Sequence, residues 1–435
     1  MCRKQINVKP FIACTLAVIL FISCKNNAAI VDKTFTDSLL LHYTLPATAK
    51  ANATDIVFWK NRIDPKSVGL TNESRYASML IGRFHLFGDV KDIKMADSVM
   101  QKVSAAYNEK EASPNLSLSA YSILQHRFTT ADNYLEKARK VGLKKYESLT
   151  ASFDVDFEMG RYTNSASYVQ QLKPYNDYGY YFRLSKLDHL NGAMDSAIQA
   201  MLSAAAMAES SVYLKDVALS NAADLYIHNG ELKKANDLYK QCIRMNSADF
   251  HSITGLGWIA LVHDRNDSLA KQLFEFVRSK NKLPDPLFKL YQMAQLKGDS
   301  VLQAKYANEF TAQATDSLYG NMYNKYLIEI YTGILHNPGR AEAIAANELT
   351  NRSTPQTNAW YVWTLFCNNK KDEAYKVFQQ SVSGKPLEGL ELYWMGKLMQ
   401  GLGKGYNAQQ FFKAANKNQY DLSPAMASDL EKSLE

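Results

Sequence analysis

The residues of this chain that could hold a metal ion or perform nucleophilic chemistry are few and widely spaced. Its eight histidines lie at positions 42, 85, 126, 189, 228, 251, 263 and 336, and no two are three or four residues apart. Metal ligands on one helix face need that spacing, as in H-E-x-x-H zinc sites. The sequence also lacks a G-x-S-x-G nucleophile elbow and a Gly-rich phosphate loop followed by Lys-Ser or Lys-Thr. We therefore predict no enzyme, no cofactor and no metal site.

One of the five cysteines, Cys24, follows a segment typical of secretory signals. Three of the first nine residues are Lys or Arg. A twelve-residue apolar stretch follows from Phe11 to Ile22, and Ser23 precedes the cysteine. Twelve apolar residues are too few to span a bilayer comfortably as a helix. We predict that residues 1–23 are a signal peptide that is removed.

The site Phe21-Ile22-Ser23-Cys24 resembles a bacterial lipobox, although Phe21 stands where Leu is usual. The resemblance implies that the Cys24 thiol carries diacylglycerol and that Cys24 becomes the first residue of the mature protein. The alternative is an ordinary signal peptide with an incidental cysteine. A lipid at Cys24 would hold a soluble domain at a membrane surface.

The charge of the mature chain argues against nucleic-acid binding. The whole chain has 50 Lys and Arg against 43 Asp and Glu, a formal charge of +7. Removing residues 1–23 takes away three positive charges and no negative ones, which leaves 47 against 43, or +4. No dense run of Lys and Arg remains that could follow a phosphate backbone.

A small residue, nearly always Ala, returns about every 34 positions along most of the chain. From Ala96 to Ala408 there are 312 residues in nine steps, a mean of about 34.7, which is the period of helix–turn–helix repeats. The series is Ala96, Ala131, Ser165, Ala197, Ala235, Ala270, Ala304, Ala343, Ala374 and Ala408.

The segments 126–131, 160–165 and 403–408 carry the pattern best, with a large apolar residue four positions later and a small or apolar one at seven. They resemble the turn and second helix of the tetratricopeptide repeat. The resemblance implies an all-α, tetratricopeptide-type α-solenoid, a right-handed superhelix of about nine to ten helical hairpins. Gly ends the first helix of each unit, and His126 stands at one such Gly position. Ala lies where the two helices come closest. Gly396 and Ala223 should make the same close contact from the first helices.

These patterns predict four parts of the chain. After the signal peptide, residues 24–54 form a lipidated tether, residues 55–420 the tetratricopeptide array, and residues 421–435 a C-terminal capping helix with a polar outer face. The segment 285–352 fits worst, because Asn308, Thr311, Asn347 and Thr350 occupy positions that should be apolar. Either the register slips there or the helices are irregular.

In the tetratricopeptide family the first helix of each unit lines the concave face, which binds the partner. The groove positions that this implies mix charge with aromatic rings and lack the Lys/Arg and Asn clamp that grips a C-terminal carboxylate. The alternative for each residue is an ordinary solvated helix face. The candidates are Asp154, Phe157, Lys186, His189, Asp224, His228, Trp258, Tyr291, Gln295, Tyr393 and Lys397.

The signal and the repeats together resemble tetratricopeptide lipoproteins of the cell envelope that are common in Bacteroidota. The resemblance implies a non-catalytic adaptor, anchored to the outer membrane by its lipid, that binds another protein in its groove during envelope assembly or secretion. Lys25-Asn26-Asn27 lacks the acidic run associated with surface export, which favours the periplasmic face. The alternatives are a glycan- or small-ligand-binding lipoprotein that accompanies an outer-membrane transporter, and a catalytic domain within residues 285–352.

A Cys24→Ala variant tests the anchor. We expect it to remain folded and to leave the membrane fraction, because the acylated thiol would be its only strong attachment. Fractionation of cells followed by immunoblotting measures this, with Cys14→Ala as the control that stays in the membrane fraction. Retention of Cys24→Ala in the membrane would refute the lipid anchor.

Overall fold

The computed structural model describes residues 28–435, so the predicted signal peptide and Cys24 lie outside the described residues. Within this part of the chain there are 23 α-helices and a single isolated β-bridge, between Asp64 and Ser67. Among these described helices, none is both long and apolar enough to cross a membrane.

The helices follow one another with short connections. They are α1 Lys33–His42, α2 Ala47–Lys60, α3 Leu70–Phe87, α4 Val90–Ala106, α5 Ala112–Leu124, α6 Phe128–Val141, α7 Lys145–Glu158, α8 Tyr162–Leu172, α9 Tyr178–Leu190, α10 Met194–Met207, α11 Val212–His228, α12 Leu232–Met245, α13 Phe250–Val262, α14 Asp267–Lys280, α15 Asp285–Leu296, α16 Ser300–Ala314, α17 Asn324–Thr332, α18 Pro338–Asn351, α19 Pro355–Cys367, α20 Lys371–Val377, α21 Gly389–Leu402, α22 Ala408–Lys417 and α23 Pro424–Leu434.

The helices pack as consecutive pairs. Between residues 70 and 417 of the described chain, α3–α4 to α21–α22 form ten hairpins, each stacked on the next. The predicted all-α array of helical hairpins is confirmed. Residues 285–352 form α15 to α18, two further hairpins of the same array, so they are not a separate domain.

Small side chains lie where paired helices meet, as predicted. Seven of the ten repeating small residues are fully buried, among them Ala131 and Ala270. In the first helices, Ala223 is fully buried, and a Cβ built at Gly396 would lie 2.4 Å from Cε1 of Phe412. A larger side chain at these positions would push the helices apart.

The predicted register was wrong in α16 and α18. Ala304 is only half-buried and Ala343 is exposed, whereas Ala307 and Ala341 are fully buried. Ala343 lies two residues beyond Ala341, which turns it about 200° around the helix to the outer face. Ala304 precedes Ala307 by three residues and therefore lies at the edge of the buried stripe.

The turns inside the hairpins use a left-handed residue, as the motif requires. Gly230 has φ +75° and ends α11, and His126 takes the same conformation with φ +51° after α5. The prediction that His126 replaces the turn glycine is confirmed. A non-glycine residue in this region carries some backbone strain, which the surrounding contacts must offset.

Hairpins about six units apart touch each other. Lys282 forms an ion pair with Asp89, and Asn351 bonds both the backbone N–H of Phe128 and the carbonyl of His126. These contacts join residues 193 to 225 positions apart, which is about six periods of 34.7 residues. The array therefore completes a superhelical turn in about six hairpins, and successive turns meet along their edges.

The described part of the predicted tether is packed against the array. The backbone N–H groups of Ile30 and Val31 donate to the Asp264 carboxylate at 2.8 and 2.9 Å. The Tyr43 ring meets the Phe276 ring edge-on, with 5.2 Å between ring centroids. Residues 28–46 thus form a folded segment with one helix, α1, rather than a free linker.

A Gly396→Ala variant tests the close helix contact. We expect the free energy of unfolding to fall by about 1–3 kcal/mol, because the new methyl group clashes with the buried ring of Phe412. Chemical denaturation measures this. The matched control is Gly339→Ala in α18, where an added Cβ meets no atom within 4 Å; it should leave stability unchanged or raise it by about 0.5–1 kcal/mol.

Candidate functional site

The first helices of the hairpins surround two adjoining cavities inside the superhelix. Cavity A, of about 1010 Å³, lies between α7, α9, α17 and α19, and cavity B, of about 950 Å³, lies between α3, α11, α13 and α15. His228, Asp285, Tyr326 and Asp421 line both of them. The two cavities are therefore adjacent parts of one interior groove.

Six of the eleven residues predicted for the groove line it. Their helices bring them together from four different hairpins. Phe157, Lys186 and His189 face cavity A, Asp224 and Trp258 face cavity B, and His228 faces both.

The other five predicted residues do not line the cavities. Asp154 pairs with Arg183, and Tyr291 is buried in the core between helices. Gln295, Tyr393 and Lys397 contact the end of the chain, as described next.

The C-terminal helix covers part of the surface that the first helices were expected to offer. Tyr393 and Lys397 donate to the Asp429 carboxylate at 2.7 and 3.0 Å, and Ser423, the N-cap of α23, donates to Gln295 at 3.0 Å. The helix packs on α22 at the end of the array and also reaches α15 across the interior. Gln295, Tyr393 and Lys397 are therefore structural contacts of α23.

An ion-pair network on the wall of cavity A joins two turns of the superhelix. Glu158 lies 3.1 Å from Nζ of Lys186 and 3.0 Å from Nη1 of Arg352, and Arg352 also reaches Glu348 at 2.9 Å. Burial raises the pKa of Glu158, but the two cations outweigh burial and hold that pKa below its usual value. Burial, aided by Arg352, lowers the pKa of His126 to about 4, so this imidazole is neutral.

A second buried cluster centres on Lys325 of α17. Its ammonium lies 3.1 Å from Glu391, which is fully buried, and 3.4 Å from Glu388. The indole N–H of Trp360 also donates to Glu391 at 2.7 Å. Burial opposes the charge on Lys325, but Glu391 and Glu388 raise the pKa of the ammonium above its usual value. The Lys325 ammonium is therefore paired within the protein.

Two contacts hold the C-terminal segment against the middle of the array. The His228 imidazole pairs with the Asp421 carboxylate, and the indole N–H of Trp258 donates to the Tyr420 carbonyl at 3.1 Å. Burial lowers the pKa of His228, but Asp421 outweighs burial and raises that pKa to about 9. At neutral pH, His228 is therefore an imidazolium that pairs with Asp421.

Cavity B contains a second charged histidine. His251 donates to both oxygens of Asp224 at 3.0 and 2.9 Å, and the Tyr239 hydroxyl donates to the same carboxylate at 2.6 Å. Asp224 raises the pKa of His251 to about 9 against the effect of burial. The Lys289 ammonium lies nearby, 3.7 Å from the centroid of the Trp258 ring.

Three groups beside cavity B are close enough to hold a metal ion. Ligand atoms of Asp216, Cys242 and Asp249 lie within 4.8 Å of one another. Burial raises the pKa of Asp216 to about 7 and raises the pKa values of Asp249 and the Cys242 thiol. Asn246 already donates to Asp216, and Ser252 to Asp249. This environment favours protonated groups over metal ligands, and Cys242 fills a buried small-residue position as predicted.

Sequence reasoning missed several residues that face the groove. Lys289 lies on α15, two residues before the predicted Tyr291, and Lys325 lies on α17, a first helix for which no groove position was predicted. Arg352 and Glu388 lie in connections between hairpins. These two reach the interior because successive turns meet, and the repeat pattern carries no signal for that.

The fold and the groove define an all-α helical-repeat protein with an interior groove that is partly open to solvent. No protein-family model matches the chain, and no curated protein matches it in sequence. Among solved structures it is similar to the crystal structure of yeast Tom70, with 10% sequence identity and a TM-score of 0.35, over 83% of this chain and 96% of that one. The assignment of the fold class rests on the helix pairs themselves.

The His228–Asp421 pair predicts a pH-dependent contribution to stability. The folded pKa of His228 is about 9, above the unfolded value of about 6.5. The stabilisation is therefore fully present below about pH 6.5 and is lost as the pH rises through 9. We expect His228→Gln to lower the free energy of unfolding by roughly 1–3 kcal/mol at pH 6.5 and by clearly less above pH 10, where the charge-dependent part of the contact is lost.

Thermal unfolding of both proteins from pH 6.5 to 10 measures this difference. His85→Gln is the control, because burial lowers the pKa of His85 and no carboxylate holds it; its effect should not change over this range. A wild-type advantage over His228→Gln that stays constant across the range would contradict the pair.

Proposed function

We propose that this chain is a non-catalytic protein-binding scaffold that is tethered to the bacterial outer membrane and binds an extended protein segment in its interior groove. The observation that supports this is the continuity of cavities A and B, which share four lining residues. A groove that continues through both cavities has room for an extended polypeptide segment. The role we propose is in assembly or secretion at the cell envelope, on the periplasmic side.

The chemistry of the groove supports a polypeptide ligand. Phe157, Trp258 and Tyr326 offer aromatic rings to the interior, beside charged groups such as Lys186 and Asp285. Aromatic side chains with polar neighbours are enriched at protein interfaces, where they combine apolar contact with hydrogen bonding.

The packed N-terminal segment bears on how a tether would work. Ile30 is bonded to Asp264 on the array, and only five residues separate it from Cys24. Six residue steps of extended chain cover at most roughly 20 Å. A lipid on Cys24 would therefore hold the array close to the membrane surface, without a long flexible linker between them.

A second candidate function is the binding of a small ligand, and the size of the cavities favours it. Volumes of about 1010 and 950 Å³ are in the range of small-molecule sites. For a glycan, exposed tryptophans would be expected as stacking platforms. None of the five tryptophans, all of which lie in the described part of the chain, is exposed.

Photo-crosslinking in intact cells tests the scaffold proposal. We would place a photoreactive residue at Asn191, an exposed position that lines cavity A, and at Ala343, an exposed position on the outer face of α18. We expect a discrete protein adduct from the Asn191 position, at least about tenfold stronger than from the Ala343 position. Mass spectrometry of the adduct identifies the captured segment.

Equal capture at both positions would argue against a groove ligand. No protein adduct at the Asn191 position, together with saturable binding of an oligosaccharide to the purified chain, would support the second candidate instead.

A further inference from the structure

Lys289 is a cation of the groove that the protein leaves without an anionic partner. It lies on α15 and lines cavity B, and its Nζ stands over the Trp258 ring at 3.7 Å from the centroid. Among residues 28–435, no carboxylate comes within 4 Å of this ammonium and no side chain or carbonyl accepts a hydrogen bond from it. Every other cation named above on the groove wall has a carboxylate partner.

Three of the four acidic groups around Lys289 are engaged elsewhere, and the fourth, Glu329, has no hydrogen-bond partner among the described residues at its buried Oε1 atom. Asp224 accepts from His251 and Tyr239, Asp421 pairs with His228, and Asp285 accepts from the Tyr323 hydroxyl at 2.6 Å. Glu329 of α17 is buried, and its environment raises the pKa of its carboxyl to about 7. None of these groups neutralises Lys289 by direct contact.

The Lys289 side chain is half-buried, and burial disfavours the charged form of an ammonium group. Burial lowers the pKa of Lys289 to about 8, although Glu329 and Asp285 act in the opposite direction. Near pH 7 the group remains mostly charged. A ligand carboxylate that entered cavity B would find a partly desolvated cation, with which a charge-assisted hydrogen bond is strong.

Trp258 fixes the geometry of this position. Its indole N–H donates to the Tyr420 carbonyl, so the ring cannot turn away, and its face holds one side of the ammonium by a cation–π contact. The remaining N–H groups of Lys289 are left for the cavity. The Tyr326 ring lines the same space.

We propose that Lys289, held on the Trp258 ring, is the carboxylate-binding position of the groove, so that the ligand carries a carboxylate next to an apolar group. This inference rests on the proposed function and makes the ligand more specific. The carboxylate could come from an acidic side chain of a protein segment or from a free organic acid, and the experiment separates these sources.

Limited reductive methylation of the full chain at pH 8, followed by peptide mapping, tests the inference. We expect Lys289 to react at least about tenfold faster than the exposed Lys110, because far more of it is unprotonated at that pH. An N-acetylated and C-amidated Ala-Glu-Leu tripeptide should then protect Lys289, and the Ala-Gln-Leu tripeptide should not. A third arm uses sodium glutarate, whose protection without that of the Glu tripeptide would assign the site to a free acid.

Two variants separate the charge from the fold. Lys289→Met should weaken binding of the fluorescently labelled Glu tripeptide at least about tenfold, and Lys289→Arg should keep it within about threefold. Circular dichroism and thermal unfolding show that both variants are folded; if Lys289→Met is not, Lys289→Gln replaces it.

Several outcomes would overturn the inference. Reaction of Lys289 at the rate of Lys110 would show that the surroundings do not desolvate the ammonium, which removes the basis of the inference. Equal protection by the Glu and Gln tripeptides, or no protection by either tripeptide and by glutarate, would show that no carboxylate is recognised there. If the Asn191 position still captures a protein segment in cells, the proposed function stands and only the carboxylate assignment fails.

Discussion

The close approach of two helices at a side chain no larger than alanine is the contact on which the rest of the structure depends. Where Ala131 or Ala270 is fully buried, or where Gly396 meets the Phe412 ring, two helix backbones come near enough for their remaining side chains to interlock. Because the contact recurs about every 34 residues, each hairpin takes nearly the same position on the one before it. Small, equal rotations then add up along the chain to a superhelix.

The superhelix is tight enough for its turns to touch, and this turns the concave face into a groove that is partly closed to solvent. Lys282 meets Asp89, and Arg352 meets Glu158, across about six hairpins. Both ends of the described chain pack against the array, since the segment at Ile30 bonds to Asp264 and the segment at Asp421 bonds to His228 on the groove wall. Enclosure has an electrostatic consequence: charges that would be harmless on an open helix face become partly dehydrated, and most of them are therefore paired.

This partial burial also explains why the one unpaired cation named on the groove wall, Lys289, is notable. On an exposed helix, an unpaired lysine is unremarkable because water solvates it. Inside cavity B, the Lys289 ammonium has an aromatic ring on one side and the cavity on the other. A groove in which nearly every charge is already satisfied can still be selective, because its few unsatisfied groups select among ligands by the cost of leaving them unpaired.

The sequence by itself determined the all-α class, the hairpin period and the residues at the helix contacts, because small residues at a fixed spacing report a local packing rule that each unit repeats. It also placed Phe157, Lys186, His189, Asp224, His228 and Trp258 on the inner helices. The register in α16 and α18 could not be read correctly, since each of those helices has more than one alanine near the expected position.

Only the tertiary structure decided that Gln295, Tyr393 and Lys397 hold the C-terminal helix and that Arg352 and Glu388 reach the groove. Those contacts join residues far apart in sequence and depend on the pitch of the superhelix, which is the sum of many small rotations and leaves no mark in any single repeat.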